Sequence, residues 1–138
     1  MAHIVVLDDE KDACELVERV LSPAHEVISF TEEDEAIRYV KDHPVDLTIL
    51  DIKLKNMSGV DVLEILRESR PEVKAVMLTG YPTLKTAERA ITLGAHDYLT
   101  KPLDVDDLEA KINAILSPEK PVREDASEDL SDDLSPSE

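Results

Sequence analysis

Along residues 1 to 116, short apolar runs alternate with longer segments whose apolar residues recur at helical spacing. His3 to Leu7 is β-branched and apolar and ends at once in Asp8-Asp9-Glu10. His25 to Phe30 is shorter in apolar content, whereas Val45 to Asp51 reads as a strand buried on both faces that finishes in an acid. Val73 to Thr79 and His96 to Thr100 have the same strand character. Between these runs, Ala13, Leu16, Val17, Val20 and Leu21 predict a helix over Lys11 to Leu21 that Ser22-Pro23 stops. Thr31 with Asp34 or Glu35 behind it resembles a second helix start, with Ala36, Ile37, Tyr39 and Val40 inward as far as His43-Pro44. Val60, Leu63, Ile65 and Leu66 belong to a third helix that Pro71 breaks. A fourth begins near Leu84, carries Ala87, Ala90, Ile91 and Leu93, and has Gly94 in the position that favours glycine after a helix. A fifth runs from Asp104 to Leu116 with Val105, Leu108, Ile112 and Ile115 among acids.

Strand and helix therefore repeat five times, a (βα)5 pattern. It predicts an α/β fold, a doubly wound parallel sheet with helices on both faces and right-handed crossovers. The periodicity leaves the strand order open.

Composition narrows this further. The 138 residues suffice for one domain, and with 3% aromatics and no Trp its core must be built from Val, Leu, Ile and Ala. The lone cysteine, Cys14, excludes an internal disulfide and is read as a small buried residue of the first helix. With no basic leader and no long apolar segment, the expectation is a soluble, cytoplasmic protein with no membrane partner. The net charge of −17 opposes direct nucleic-acid binding. Residues 117 to 138 hold eight acids and two bases, −6 of that charge, and the remaining −11 lies on residues 1 to 116. Residues 118 to 138 are rich in charge, Ser and Pro and predict an acidic disordered tail or linker, which leaves residues 1 to 117 as the domain.

The strand ends carry the chemistry: Asp8 and Asp9 after the first, Asp51 on the third, Thr79 on the fourth and Lys101 after the fifth. In a parallel sheet these ends share one edge, where ligands of open α/β sheets collect. If the order is 2-1-3-4-5, the first and third strands adjoin and three carboxylates converge. Such a cluster persists when a cation offsets its charge, and oxygen-only ligands suit Mg²⁺. With a lysine and a hydroxyl beside one carboxylate nucleophile, the site is equipped to take up a phosphoryl group.

Leu7-Asp8-Asp9-Glu10, Leu50-Asp51-Ile52, Met57-Ser58-Gly59, Leu78-Thr79-Gly80 and Gly94 to Pro102 (GAHDYLTKP) together resemble the receiver domain of two-component response regulators, chemotaxis regulators included. The resemblance spans residues 3 to about 116. It implies a flavodoxin-like fold with strand order 2-1-3-4-5, and a protein that is no enzyme beyond its own phosphorylation and dephosphorylation. Asp51 is then the phosphoryl acceptor from a sensor histidine kinase or phosphotransfer protein. Asp8, Asp9, Asp51 and the backbone carbonyl of Lys53 are the implied Mg²⁺ ligands. Thr79 and Lys101 are the implied partners of the phosphoryl group, Thr79 and Tyr98 the switch pair, and Lys101-Pro102 a cis peptide bond. The implied output surface is the fourth helix, fifth strand and fifth helix, which would bind a downstream target or a second receiver as a dimer.

Two departures matter. Lys55 stands where many family members have Pro, which predicts a more mobile loop. Lys53 and Tyr81 occupy positions that in the family tune hydrolysis of the acyl phosphate, and their bulk is expected to lengthen its life. Other classes fit less well. A Mg²⁺-dependent phosphatase would need an acid where Lys53 stands, and a nucleotide hydrolase lacks G-x-x-x-x-G-K-[ST]. A receiver fold acting as a phosphorylation-independent interaction module is the remaining alternative. Each residue also has a plainer reading, Asp8 or Asp9 as helix cap, Thr79 as strand end, Tyr98 as packing and Lys101 as surface charge.

Overall fold

The computed structural model describes residues 1–80 and 83–117. Five strands, β1 (His3–Leu7), β2 (Glu26–Phe30), β3 (Leu47–Asp51), β4 (Lys74–Thr79) and β5 (Asp97–Thr100), alternate with α1 (Lys11–Leu21), α2 (Glu33–Asp42), α3 (Gly59–Ser69), α4 (Leu84–Thr92) and α5 (Val105–Leu116). The sheet is parallel throughout in the order β2-β1-β3-β4-β5, the flavodoxin-like order expected. The predicted tail, residues 118 to 138, and Tyr81 lie outside the described residues.

Side chains alternate across the sheet and so divide the core in two. Ile4, Val6, Leu47, Ile49, Val76 and Leu78 face α1 and α5, where Val17, Leu21, Leu108 and Ile112 meet them. Val5, Leu7, Leu50, Ala75 and Met77 face the other way, against Ala36 and Val40 of α2, Leu63 and Leu66 of α3, and Ala90 of α4. Every residue of β3 is buried, so its apolar run answers to helices on both sides. Cys14 is buried on α1 as expected, its Sγ donating to the Asp8 carbonyl at 3.4 Å. Burial, followed by the Asp8 charge, pushes the thiol up to about 11, so it stays an unreactive thiol at neutral pH.

Element ends depart from the pattern where backbone amides are already committed. His25 and Val73 donate back to the Leu21 and Arg70 carbonyls, closing turns, so β2 and β4 begin one residue later than the apolar runs suggest. Thr31 is not the cap of α2: Glu32 holds that position with extended backbone and no capping side chain. The other caps follow the local chemistry. Ser58 and Asp61 form a reciprocal capping box at α3, Thr83 accepts from the Thr86 amide at α4, and Asp104 accepts from the Asp107 amide at α5. Gly94 follows α4 at φ 87, the left-handed conformation that glycine adopts without strain.

α4 packs more lightly than its neighbours, Ala90 being its one buried residue. Its C-terminal end is nevertheless held by Arg67 of α3, which donates from Nε to the Leu93 carbonyl at 2.8 Å and from Nη2 to Gly94 at 3.1 Å, with Nη1 on the Val73 carbonyl. Arg89 of α4 also pairs with Asp61 and Glu64 of α3, each at 2.9 Å. Among the described residues no helix is long and apolar enough to cross a membrane.

Candidate functional site

Strand register brings the predicted residues together. Leu7 lies opposite Leu50, so the chain leaving β1 carries Asp8 and Asp9 alongside Asp51, and Asp51 is itself paired with Leu78 in β4. Thr79 is paired with Thr100, which sets Lys101 at the same edge, where its amide donates to the Thr79 carbonyl at 2.8 Å. Asp8, Asp9 and Asp51 each present an oxygen within 4.8 Å of the others. Asp9 and Asp51 line a cleft at the carboxyl ends of the strands, walled by Glu10, Lys53, Gly80 and Lys101.

The electrostatics of the cluster follow from burial. Asp8 is fully buried and Asp51 only 3% exposed. The ammonium of Lys101 reaches into them, 2.9 Å from Asp8 Oδ2, 3.0 Å from Glu10 Oε1 and 3.4 Å from Asp51 Oδ2. Burial, and then the Asp8 charge, push Asp51 up to about 6, against the opposing pull of Lys101 and the Lys53 amide. Burial alone would favour a neutral Lys101, but Asp8, Glu10 and Asp51 outweigh it and hold the amine above its ordinary range, firmly charged. One ammonium therefore serves three acids, and the cluster remains net negative. Its donors are hard oxygens with one buried and one half-buried carboxylate beside Asp51, a set that fits Mg²⁺.

The β3–α3 loop closes the cleft. The Lys53 amide donates to Asp51 Oδ1 at 3.3 Å, Lys53 pairs with Ser58 in an isolated antiparallel bridge, and the Gly59 amide donates to the Ile52 carbonyl at 2.8 Å. Glycine is required at 59, because a Cβ there would overlap the Asp51 carbonyl and lie 3.1 Å from the Ile52 Cα. The loop is thus shaped at its base by contacts that reach back to the residue on which the site centres.

On the far side of Thr79, β4, β5 and α4 enclose a cavity of about 190 Å³, lined mainly by Met77, Thr79, Ala87, Ala90 and Tyr98. It has room for an aromatic ring. Tyr98 is turned outward, 47% exposed, with Lys111 Nζ 5.7 Å above its ring and 3.0 Å from its carbonyl. Thr79 borders both this cavity and the acidic cleft, and it is 4% exposed. The Lys101-Pro102 peptide bond is cis, as the resemblance implied.

The family model of the response regulator receiver domain matches residues 4–113. The chain belongs to this family. Among curated relatives, this receiver is 32% identical over 117 residues to the heme response regulator HssR of Staphylococcus saprophyticus, covering 84% of the chain and 52% of that protein. It therefore spans about half the length of that relative. Among solved structures, the CheY-like receiver domain protein of Methanospirillum hungatei matches at a TM-score of 0.79 and 29% identity, covering 82% of this chain and 91% of that one. TrrA of Thermotoga maritima, solved with Mg²⁺ and BeF, matches at 0.75 and 28%, covering 84% and 100%.

Two residues of the receiver's site escape a reading of strand ends. Glu10 pairs with Lys101, although it lies in the acidic run after β1 without marking itself as different from Asp8 and Asp9. Glu33 binds the β3–α3 loop from the start of α2, and its only signal in the sequence is that it is one of four consecutive acids. Neither role is visible without knowing which loops face each other.

Proposed function

We propose that this receiver accepts a phosphoryl group on Asp51 from a sensor histidine kinase or phosphotransfer protein and uses the modification to switch a binding face. The reading rests on one observation above others: three carboxylates within 4.8 Å of one another at the sheet edge, with the Lys101 ammonium 3.4 Å from Asp51. An Asp51 carboxylate oxygen attacks the phosphorus of a phosphohistidine. The P–O bond forms as the P–N bond breaks, and the electron pair returns to the imidazole. Asp8, Asp9, Asp51 and the Lys53 carbonyl hold Mg²⁺, which supplies the charge neutralisation that phosphoryl transfer demands. Lys101 stays protonated and pairs with the incoming oxygens. Thr79 donates its hydroxyl to them.

That movement is what connects site and surface. Thr79 drawn toward the phosphoryl group leaves more of the cavity behind it open, and Tyr98 turns in from its exposed position to fill it. The change is a shift between two arrangements of α4, β5 and α5. On that face Leu84, Ile91, Tyr98 and Val105 are exposed apolar or aromatic groups, suited to a downstream protein or to a second receiver. The receiver acts in the cytoplasm, without contacting nucleic acid through this domain and without catalysis beyond its own phosphoryl chemistry.

Intact mass after incubation with Mg²⁺ and acetyl phosphate tests the reading. A single Mg²⁺-dependent phosphoryl adduct is expected on the wild type and none on Asp51→Asn. Mg²⁺ binding without any adduct, once decay during handling is excluded by a rapid quench, would instead support the phosphorylation-independent interaction module.

A further inference from the structure

Glu33 is a carboxylate at 2% exposure, and acids are rarely so buried unless something holds them. Its Oε2 accepts the Asn56 amide at 2.7 Å and its Oε1 accepts from Asn56 Nδ2 at 3.3 Å. Burial by itself raises its pKa, but the Asn56 amide, its own amide and the Met57 amide outweigh that and leave it below the ordinary glutamate value. The group is ionised and its oxygens face the tip of the β3–α3 loop. Leu54 and Met57 on either side of that tip pack against the core, and the polar contacts there are weaker. Lys55 lacks the backbone restraint of a proline, and its ion pair with Glu32, 3.3 Å long, joins two half-exposed side chains and adds little.

We propose that Glu33 is a positioning residue for the acidic site: by fixing Asn56 and Met57 it holds the loop closed and keeps the Lys53 main chain in place for a divalent cation. The path is short. Glu33 binds Asn56, the loop returns through the Lys53–Ser58 bridge, and the Lys53 amide binds Asp51 Oδ1. A carboxylate suits the task because one side chain can accept from successive amides that a neutral group of its size would satisfy only in part. This inference rests on the proposed Mg²⁺ site but concerns a residue on a different element, which meets no phosphoryl group.

The test uses the full chain with two readouts, hydrogen exchange of the amides of residues 53 to 57 without metal, and Mg²⁺ affinity from amide-shift titration. Glu33→Ala is expected to speed loop exchange about tenfold and to weaken Mg²⁺ about tenfold, the low end for groups that orient metal ligands. Glu33→Gln, which keeps an acceptor for the Asn56 amide, should recover part of both. Asp34→Asn, an exposed acid in the same turn, removes the same charge and should change neither. Asn56→Asp sets a second carboxylate against Glu33 and should repeat the loss even if Glu33→Ala fails to fold. Wild-type exchange and wild-type Mg²⁺ affinity in the folded Glu33 and Asn56 variants would overturn the proposal. Asp9→Asn separates the two readings: Mg²⁺ binding that survives it sinks the metal site, while the loop exchange rates still decide the role of Glu33.

Discussion

At Asp51 the local chemistry pulls in two directions. Burial and Asp8 raise its pKa from 3.8 to about 6, so without metal the folded chain binds this proton more tightly than the unfolded chain does. The sign of the linkage follows: the contribution is fully present below about pH 4 and is lost as pH rises through about 6. Asp51→Asn has no proton to lose. In metal-free thermal melts the variant should therefore exceed the wild type by roughly 1–3 kcal/mol at pH 7–8, and the two should converge below pH 4. Saturating Mg²⁺ should reverse the order, because a cation held at the proposed site stabilises the form that keeps the Asp51 carboxylate. Equal stability of the two proteins at all pH values would mean that Asp51 is not strained by its neighbours. Asp8, Asp9, Asp51, Thr79 and Lys101 were legible in the sequence because each ends or follows an apolar run, and a parallel sheet sends all such ends to one edge. Glu33 was not, since its role depends on the proximity of two loops separated by one strand.

Elements show why the site tolerates so little change around it. α3 begins against the carbonyl of Asp51 itself, with Gly59 packed on Asp51 and Ile52. Gly59→Ala must push helix and strand apart, and is expected to cost about 1–3 kcal/mol, or more, in denaturant unfolding. It should also slow phosphorylation by acetyl phosphate, since Asp51 moves with its backbone. The helices and strands themselves were readable from spacing, with Leu84 and Leu116 as ends that the structure repeats and Gly94 in its expected place. The pattern failed at amides already bound to a preceding turn, at His25 and Val73, and at the start of α2. A period of apolar side chains reports where side chains go; it carries no information on which amide closes a turn. The strand order was not in the periodicity either and came only with the family's motifs.

For the whole molecule, the five-stranded sheet works as a stiff plate with two very different covers. α1 and α5 seal one side, and α2 and α3 most of the other, whereas α4 lies along a cavity of about 190 Å³ and is tied down by Arg67 at its C-terminal end. A beam fixed at one end and undermined along its length bends about the fixed end. Hydrogen exchange along α4 should accordingly be graded, fastest for amides near Ala87 and slowest near Leu93, and Arg67→Met should flatten the gradient by freeing the slow end. Uniform exchange along the helix would remove the fulcrum. The consequence is geometric: with the pivot near Gly94, a small displacement beneath α4 is magnified toward Leu84, so the apolar residue farthest from the anchor travels most, and a partner that reads α4 as proposed is best served by gripping its tip.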